Sequence, residues 1–112
     1  MLPKTYRLPT SRFRSVFRQG KRIHTDDLIY VIQKTTEKVS RFAFVVSKKV
    51  AKRAVDRNRI KRMLRESIHT LLPSIQPGYD VVFIAKKNFA DKTEKDVEQI
   101  VHTILLKLSL LS

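Results

Sequence analysis

A chain of 112 residues has room for one domain, and a hydrophobic fraction of 42% supplies a core, which argues against disorder. Its 24 Lys and Arg against 10 Asp and Glu leave a formal net charge of +14, which calls for a polyanionic partner. With no Cys there is no disulfide framework and no thiolate metal site; no apolar run approaches a membrane span and no signal peptide is visible, so a cytoplasmic chain is expected.

Residues 1–8 are expected to form a flexible basic arm carrying Lys4 and Arg7. Thr10 or Ser11 can cap a short helix over residues 12–19, which Gly20 stops. Phe13, Val16 and Phe17 form its apolar side, and Arg12, Arg14 and Arg18 line the rest. Residues 21–27 read as a polar connection. The run Leu28-Ile29-Tyr30-Val31-Ile32 is apolar throughout and rich in β-branched residues, which suits a strand covered on both faces. A turn follows over residues 35–40. Residues 41–47 are the next strand, with Phe42, Phe44 and Val46 on one face and Ala43, Val45 and Ser47 on the other. The bulky face should meet the core helices, while the small one leaves room for something to lie close.

Residues 47–66 are the most basic stretch. Lys48, Lys49, Lys52, Arg53, Arg57, Arg59, Lys61, Arg62 and Arg65 are opposed only by Asp56 and Glu66. Val50 and Val55 are expected to pack beneath the start of the helix that follows. From Asp56, a fitting N-cap, Ile60, Leu64, Ile68 and Leu71 recur at helical spacing. Arg57, Lys61 and Arg65 fall along one edge of that stripe; Asn58 and Arg62 point away from it. A helix so begun places Arg57 and Arg59 in the first turn, against the dipole, with Arg59 where a capping box wants Glu or Gln. Free N–H groups beside guanidinium forks suit a chain of phosphates. The bland alternative is a solvated basic face.

The helix should end near Leu72, before Pro73, with a loop over residues 73–78. Residues 79–85 form a third strong strand. Thr93 and Asp96 resemble a capping box, and Val97, Ile100, Val101, Ile104, Leu105, Leu108 and Leu111 mark a long amphipathic helix. The order is αββαβα, an α+β fold in which a small central sheet is packed with helices as a two-layer sandwich.

No constellation argues for catalysis by the protein. His24, His69 and His102 have no zinc spacing, and Asp91, Glu94, Asp96 and Glu98 read as acids at a helix start. No catalytic or metal-ligating residue is assigned.

The segment Arg57-Asn58-Arg59-Ile60-Lys61-Arg62-Met63-Leu64-Arg65, preceded by Phe44-Val45-Val46 and Ser47-Lys48-Lys49, resembles the signature of the bacterial ribonuclease P protein component. The two Phe four apart before Gly20 match that family's first helix. The resemblance implies a left-handed crossover through the basic helix, against the usual hand. It implies a protein subunit that binds the catalytic RNA subunit through Arg57, Asn58, Arg59, Lys61, Arg62 and Arg65, with Lys48, Lys49, Lys52 and Arg53 as further basic contacts. It implies a cleft between the first helix and the sheet for the 5′ leader of precursor tRNA. Phe13 and Phe17 match the family's cleft residues, and a cleft aromatic of some members falls on Val31. Ala43 and Val45 leave room there, with Arg12 and Arg14 at the rim. The RNA subunit and Mg²⁺ held mainly by RNA would perform the hydrolysis, and no obligate protein partner is expected. A generic basic RNA-binding or ribosomal-type protein stays open as the alternative.

Overall fold

The computed structural model describes residues 2–111. Three helices, α1 (Thr10–Gln19), α2 (Ala54–Leu71) and α3 (Glu94–Lys107), combine with four strands, β1 (Lys21–His24), β2 (Leu28–Lys34), β3 (Arg41–Val45) and β4 (Tyr79–Ala85). The sheet order is β1-β2-β4-β3, with β3 and β4 parallel and joined through α2, and the other pairs antiparallel. The expected α+β order therefore gains one strand. β1 occupies the start of the expected connection; Ile23 is its only apolar residue, too little for alternation to register. It is an edge strand, and its charged side chains suit an edge.

Side-chain alternation divides the core. Tyr30, Phe42, Val81 and Phe83 meet Ile60, Leu64 and Ile68 of α2 and Val101 and Leu105 of α3 on one face. Val31, Ala43 and Val82 meet Val16 of α1 and Leu8 on the other. β2 and β4 are thus covered on both sides, as continuous apolar strands require. The bulky face of β3 does meet the core helices, where the Phe42 and Phe44 rings flank Phe83 with centroids 6.4 and 5.8 Å away.

Four local expectations are corrected. The arm is docked: Leu2 is buried, Arg7 bridges to Phe42 in parallel, and the Leu8 amide donates to the Phe42 carbonyl at 2.9 Å. Two leucines and an unpaired strand edge outweigh the entropy of a free segment; residue 1 lies outside the described residues. Neither Thr10 nor Ser11 caps α1, whose N-cap is Pro9. α2 starts at Ala54, so Asp56 is its third residue rather than its cap. Val55 is consequently turned outward, 62% exposed, while Val50 does pack against the core.

Gly20 ends α1 tightly. Its N–H donates to the Val16 carbonyl at 2.8 Å, and a Cβ there would stand 2.5 Å from that oxygen and 2.7 Å from Val31 Cγ1. Any side chain would push α1 off the sheet. At α3 the Thr93 hydroxyl accepts from the Asp96 amide at 3.1 Å, forming the forward half of the expected box.

Candidate nucleic-acid interface

The cations of α2 separate into two sets. Arg57 Nη1 donates to the carbonyls of Ala51 and Lys52 at 3.0 and 2.8 Å, closing the preceding loop onto the helix. Arg59 donates through Nε to the Ala90 carbonyl and through Nη2 to that of Lys92 at 3.1 Å. It bolts α2 to the segment leading into α3. Arg53 grips Asp56 at 3.1 Å, and Asn88 Nδ2 donates to the same carboxylate at 3.3 Å. The Arg53 guanidinium, and then Asn88, hold the Asp56 carboxyl below its ordinary pKa. An acid thus does occupy the first turn, and the dipole conflict expected of Arg59 is absent because Arg59 lies a turn further on.

Asn58, Lys61, Arg62 and Arg65 form the second set. Among the described residues none of them has a polar partner; Asn58 and Arg62 are exposed, Lys61 and Arg65 half-buried. Lys48, Lys49 and Lys52 stand exposed on the turn before the helix. Burial on α2 follows the expected phase, with Met63 and Ser67 added to the stripe. Ser67 was hidden by its polarity, which a bond from its hydroxyl to the Met63 carbonyl at 2.8 Å satisfies.

On the opposite face of the sheet, strand register sets three rows. The first is Gln33–Asp80–Arg41, the second Arg22–Val31–Val82–Ala43, the third His24–Ile29–Ile84–Val45. α1 lies across β2 and β4. It is tied to the first row by ions: Asp80, with 0% exposure, receives Arg41 at 3.2 Å and Arg12 at 3.4 Å. Ser15 adds a bond to Gln33 at 3.3 Å. The second row joins Val16, Leu8, Phe13 and Phe17 in a small apolar cluster. The third row is left half-open, since Ile29, Ile84 and Val45 are only partly covered.

This placement redraws the expected cleft. Phe13 and Phe17 are half-buried with ring centroids 5.5 Å apart, and Val45 is accessible. Val31, at 0% exposure, is sealed beneath α1 and Leu8, and Ala43, at 9%, packs in the same cluster and lines a cavity at the outer edge of β3 rather than the open row. Arg12 is committed to Asp80, whereas Arg14 is exposed and without a partner among the described residues. The accessible floor is Ile29, Ile84 and Val45, walled by Phe17. Arg22 stands 5.9 Å over the Phe17 ring, and His24 shares the margin. Arg22, His24, Ile29 and Ile84 join the site only through the strand register. The period-two count places Ile29 beside Val31, but Arg22 and His24 required β1, and Ile84 required the parallel register with Val45.

Among the described residues, no group of three or more His, Cys, Asp or Glu could hold a metal ion, and no helix is long and apolar enough to cross a membrane.

An apolar shelf beside aromatic rings, and unpartnered cations on a separate helix, together suit RNA. The profile of the family described as Ribonuclease P matches residues 2–109. A ribonuclease P protein component from Synechocystis sp. is 46% identical over 85 residues, spanning 74% of this chain and 68% of its own length. That from Picosynechococcus sp. is 40% identical over 88 residues, spanning 78% and 76%. The solved structure of the RNase P protein from Thermotoga maritima matches with a TM-score of 0.78 at 27% identity, over 88% of this chain and 94% of its own. A match of this extent, to profile, relatives and fold alike, settles the lineage: the chain belongs to the family of ribonuclease P protein components.

Proposed function

We propose that this chain, as the protein subunit of ribonuclease P, serves tRNA processing by holding two RNAs on two separate surfaces. Asn58, Lys61, Arg62 and Arg65 of α2, extended by Lys48, Lys49 and Lys52, bind phosphates of the RNA subunit. The shelf of Ile29, Ile84 and Val45 beside Phe13 and Phe17 receives the 5′ leader of precursor tRNA, with Arg14 and Arg22 near its phosphates. Arg57 and Arg59 support the first surface from within; any RNA contact they make uses donors left over from their carbonyl partners.

Among the described residues no three His, Cys, Asp or Glu come together to hold a metal. Hydrolysis belongs to the RNA subunit, where Mg²⁺ would be held mainly by RNA. The protein contributes by positioning: a leader fixed on the shelf raises the effective concentration of the scissile phosphate at the RNA site and broadens the substrates accepted. The work would be done in the cytoplasm.

The observation that carries this reading is the open third row. A solvated sheet face normally carries polar side chains, whereas here α1 stops short of an apolar strip flanked by cations. The test is cleavage of precursor tRNA by the cognate RNA subunit at limiting Mg²⁺, with and without the chain. Stimulation that disappears for a leaderless substrate analogue is expected. Tight RNA binding with no stimulation would instead favour a generic basic binding module.

A further inference from the structure

The free edge of the sheet carries a further pocket, away from the cleft and bordering the α2 surface at Arg65. Among the described residues, the N-terminal segment pairs with β3 only at Phe42, through the Leu8 amide. Backbone groups alternate sides along a strand, so the Phe44 amide and carbonyl face the same outer edge, beyond the point where the segment pairs. A cavity of about 280 Å³ lies there, between Leu2, Arg7 and Leu8 of the N-terminal segment, residues 42–44 of β3, and Arg65. The Phe44 ring stacks on Phe83, at 5.8 Å and 6° between planes, on the side of the sheet opposite Ile84 and Val45.

Two cations overlook this cavity. Arg65 is half-buried yet has no polar partner among the described residues, unlike Arg57 and Arg59 on the same helix. Arg7 spends its Nε on the Leu2 carbonyl at 2.8 Å, which leaves its two Nη groups for a ligand. A half-exposed aromatic ring, an open peptide edge and two guanidinium groups meet the three needs of an unpaired nucleotide. The ring stacks a base, the peptide edge can pair with that base, and the cations hold its phosphate. A neutral peptide strand would satisfy the edge but not the arginines.

We infer that this cavity binds one unpaired nucleotide of RNA, with its base on Phe44 and its phosphate between Arg7 and Arg65. The inference rests on the RNA-binding reading of the chain and shares Arg65 with the α2 surface, but it uses none of the shelf residues Ile29, Ile84, Val45, Phe13 and Phe17. The nucleotide could belong to the RNA subunit or to precursor tRNA, and the chemistry is the same for both.

The test begins with nuclear magnetic resonance titration of the isotope-labelled full chain with a short oligoadenylate, and with an abasic strand of the same length. The Phe44 amide and the Arg65 side chain should shift with oligoadenylate and much less with the abasic strand. Phe44→Leu should weaken binding at this site roughly 5- to 150-fold, the usual range for one stacked base. Arg65→Gln, which spares the core, should reduce the log–log salt slope by about 1. Thermal melts of both variants separate folding losses from binding losses. Equal shifts with the abasic strand, or shifts at Phe17 and Ile84 with none at Phe44, would overturn the proposal. So would an acidic peptide that shifts Phe44 where oligoadenylate does not, because the edge would then be a strand-addition site. The RNA subunit and precursor tRNA are then offered separately to Phe44→Leu. Weakened binding of one identifies the source, and unchanged binding of both refutes the site. Should the chain fail to stimulate cleavage while oligoadenylate still shifts Phe44, the subunit reading has failed and the pocket stands.

Discussion

Arg59 and Arg62 stand one helical turn apart on α2, carry the same charge and belong to the same basic run. One is folded inward onto two backbone carbonyls of the segment before α3, and the other is exposed without a partner among the described residues. α1 repeats the contrast with Arg12, tied to buried Asp80, and Arg14, exposed. A basic helix of this protein therefore has a structural side and a ligand side, and charge counting cannot tell them apart. What distinguishes them is whether the guanidinium finds an acceptor inside the fold, because a partnered fork has already surrendered much of its hydrogen-bonding capacity.

The largest expected effect tests the committed side of α1. Asp80→Ala removes the acid that Arg12 and Arg41 share, leaving the latter's 14% exposed side chain without its principal partner. Breaking a buried pair from one side costs about 3–5 kcal/mol, to be read from urea unfolding. A loss below about 1 kcal/mol would mean that the triad does not anchor α1.

Arg59 and Arg62 supply the direct comparison. Arg59→Ala forfeits two charge-assisted bonds and should cost about 2–3 kcal/mol of stability. Arg62→Ala should leave stability within about 0.5 kcal/mol but lower the log–log salt slope for RNA-subunit binding by about 1. Equal stability losses in the two variants would erase the division of α2 into sides.

Phe17 tests whether the shelf is a ligand site or merely core. Phe17→Ala should weaken precursor tRNA roughly 5- to 150-fold, as one stacking contact does, while mature tRNA is nearly unaffected. An equal loss for both substrates, or unfolding without a leader-specific effect, would return Phe17 to the core. The smallest effect concerns Asp56. Its carboxyl is depressed by Arg53 and Asn88, so the folded state binds its proton less readily than the unfolded chain does. The associated stability is present above the unfolded value of about 4 and is lost as pH falls through the lower folded value. Asp56→Asn should remove this component, leaving a shallower acid limb in a pH series of melts.

Much of the architecture could be read from residues alone. Apolar runs locate β2 and β4, and the bulky side of β3 meets the core as the alternation of Phe and Ala suggests. The arginine commitments could not be read, because the acceptors for Arg59 are backbone carbonyls 31 and 33 positions away, and a carbonyl carries no residue-type signature. Asp80 was a legible clue left unused: a lone acid inside the apolar run of β4 must find a partner when buried. The cleft floor was misplaced by one row because Val31 and Ala43 are small, and small residues beneath a helix permit close packing as readily as they leave a groove. The start of α2 is not legible because Ala54 and Val55 have no capping chemistry, and Asp56, the first acid able to cap, lies inside the first turn.

The pairing of Arg12 with Asp80 also bears on how the molecule comes together. The two residues are 68 positions apart, and β4, which carries Asp80, is the last strand in the chain. α1 lies near the start of the chain, but the floor on which it rests is incomplete until β4 has slotted between β2 and β3. Non-local pairings of this kind form late, because the loop that separates them must be closed first. The shelf and its aromatic wall are then expected to be the final part of the molecule to assemble. A chain halted before β4 would carry the aromatic helix without a completed surface to hold it.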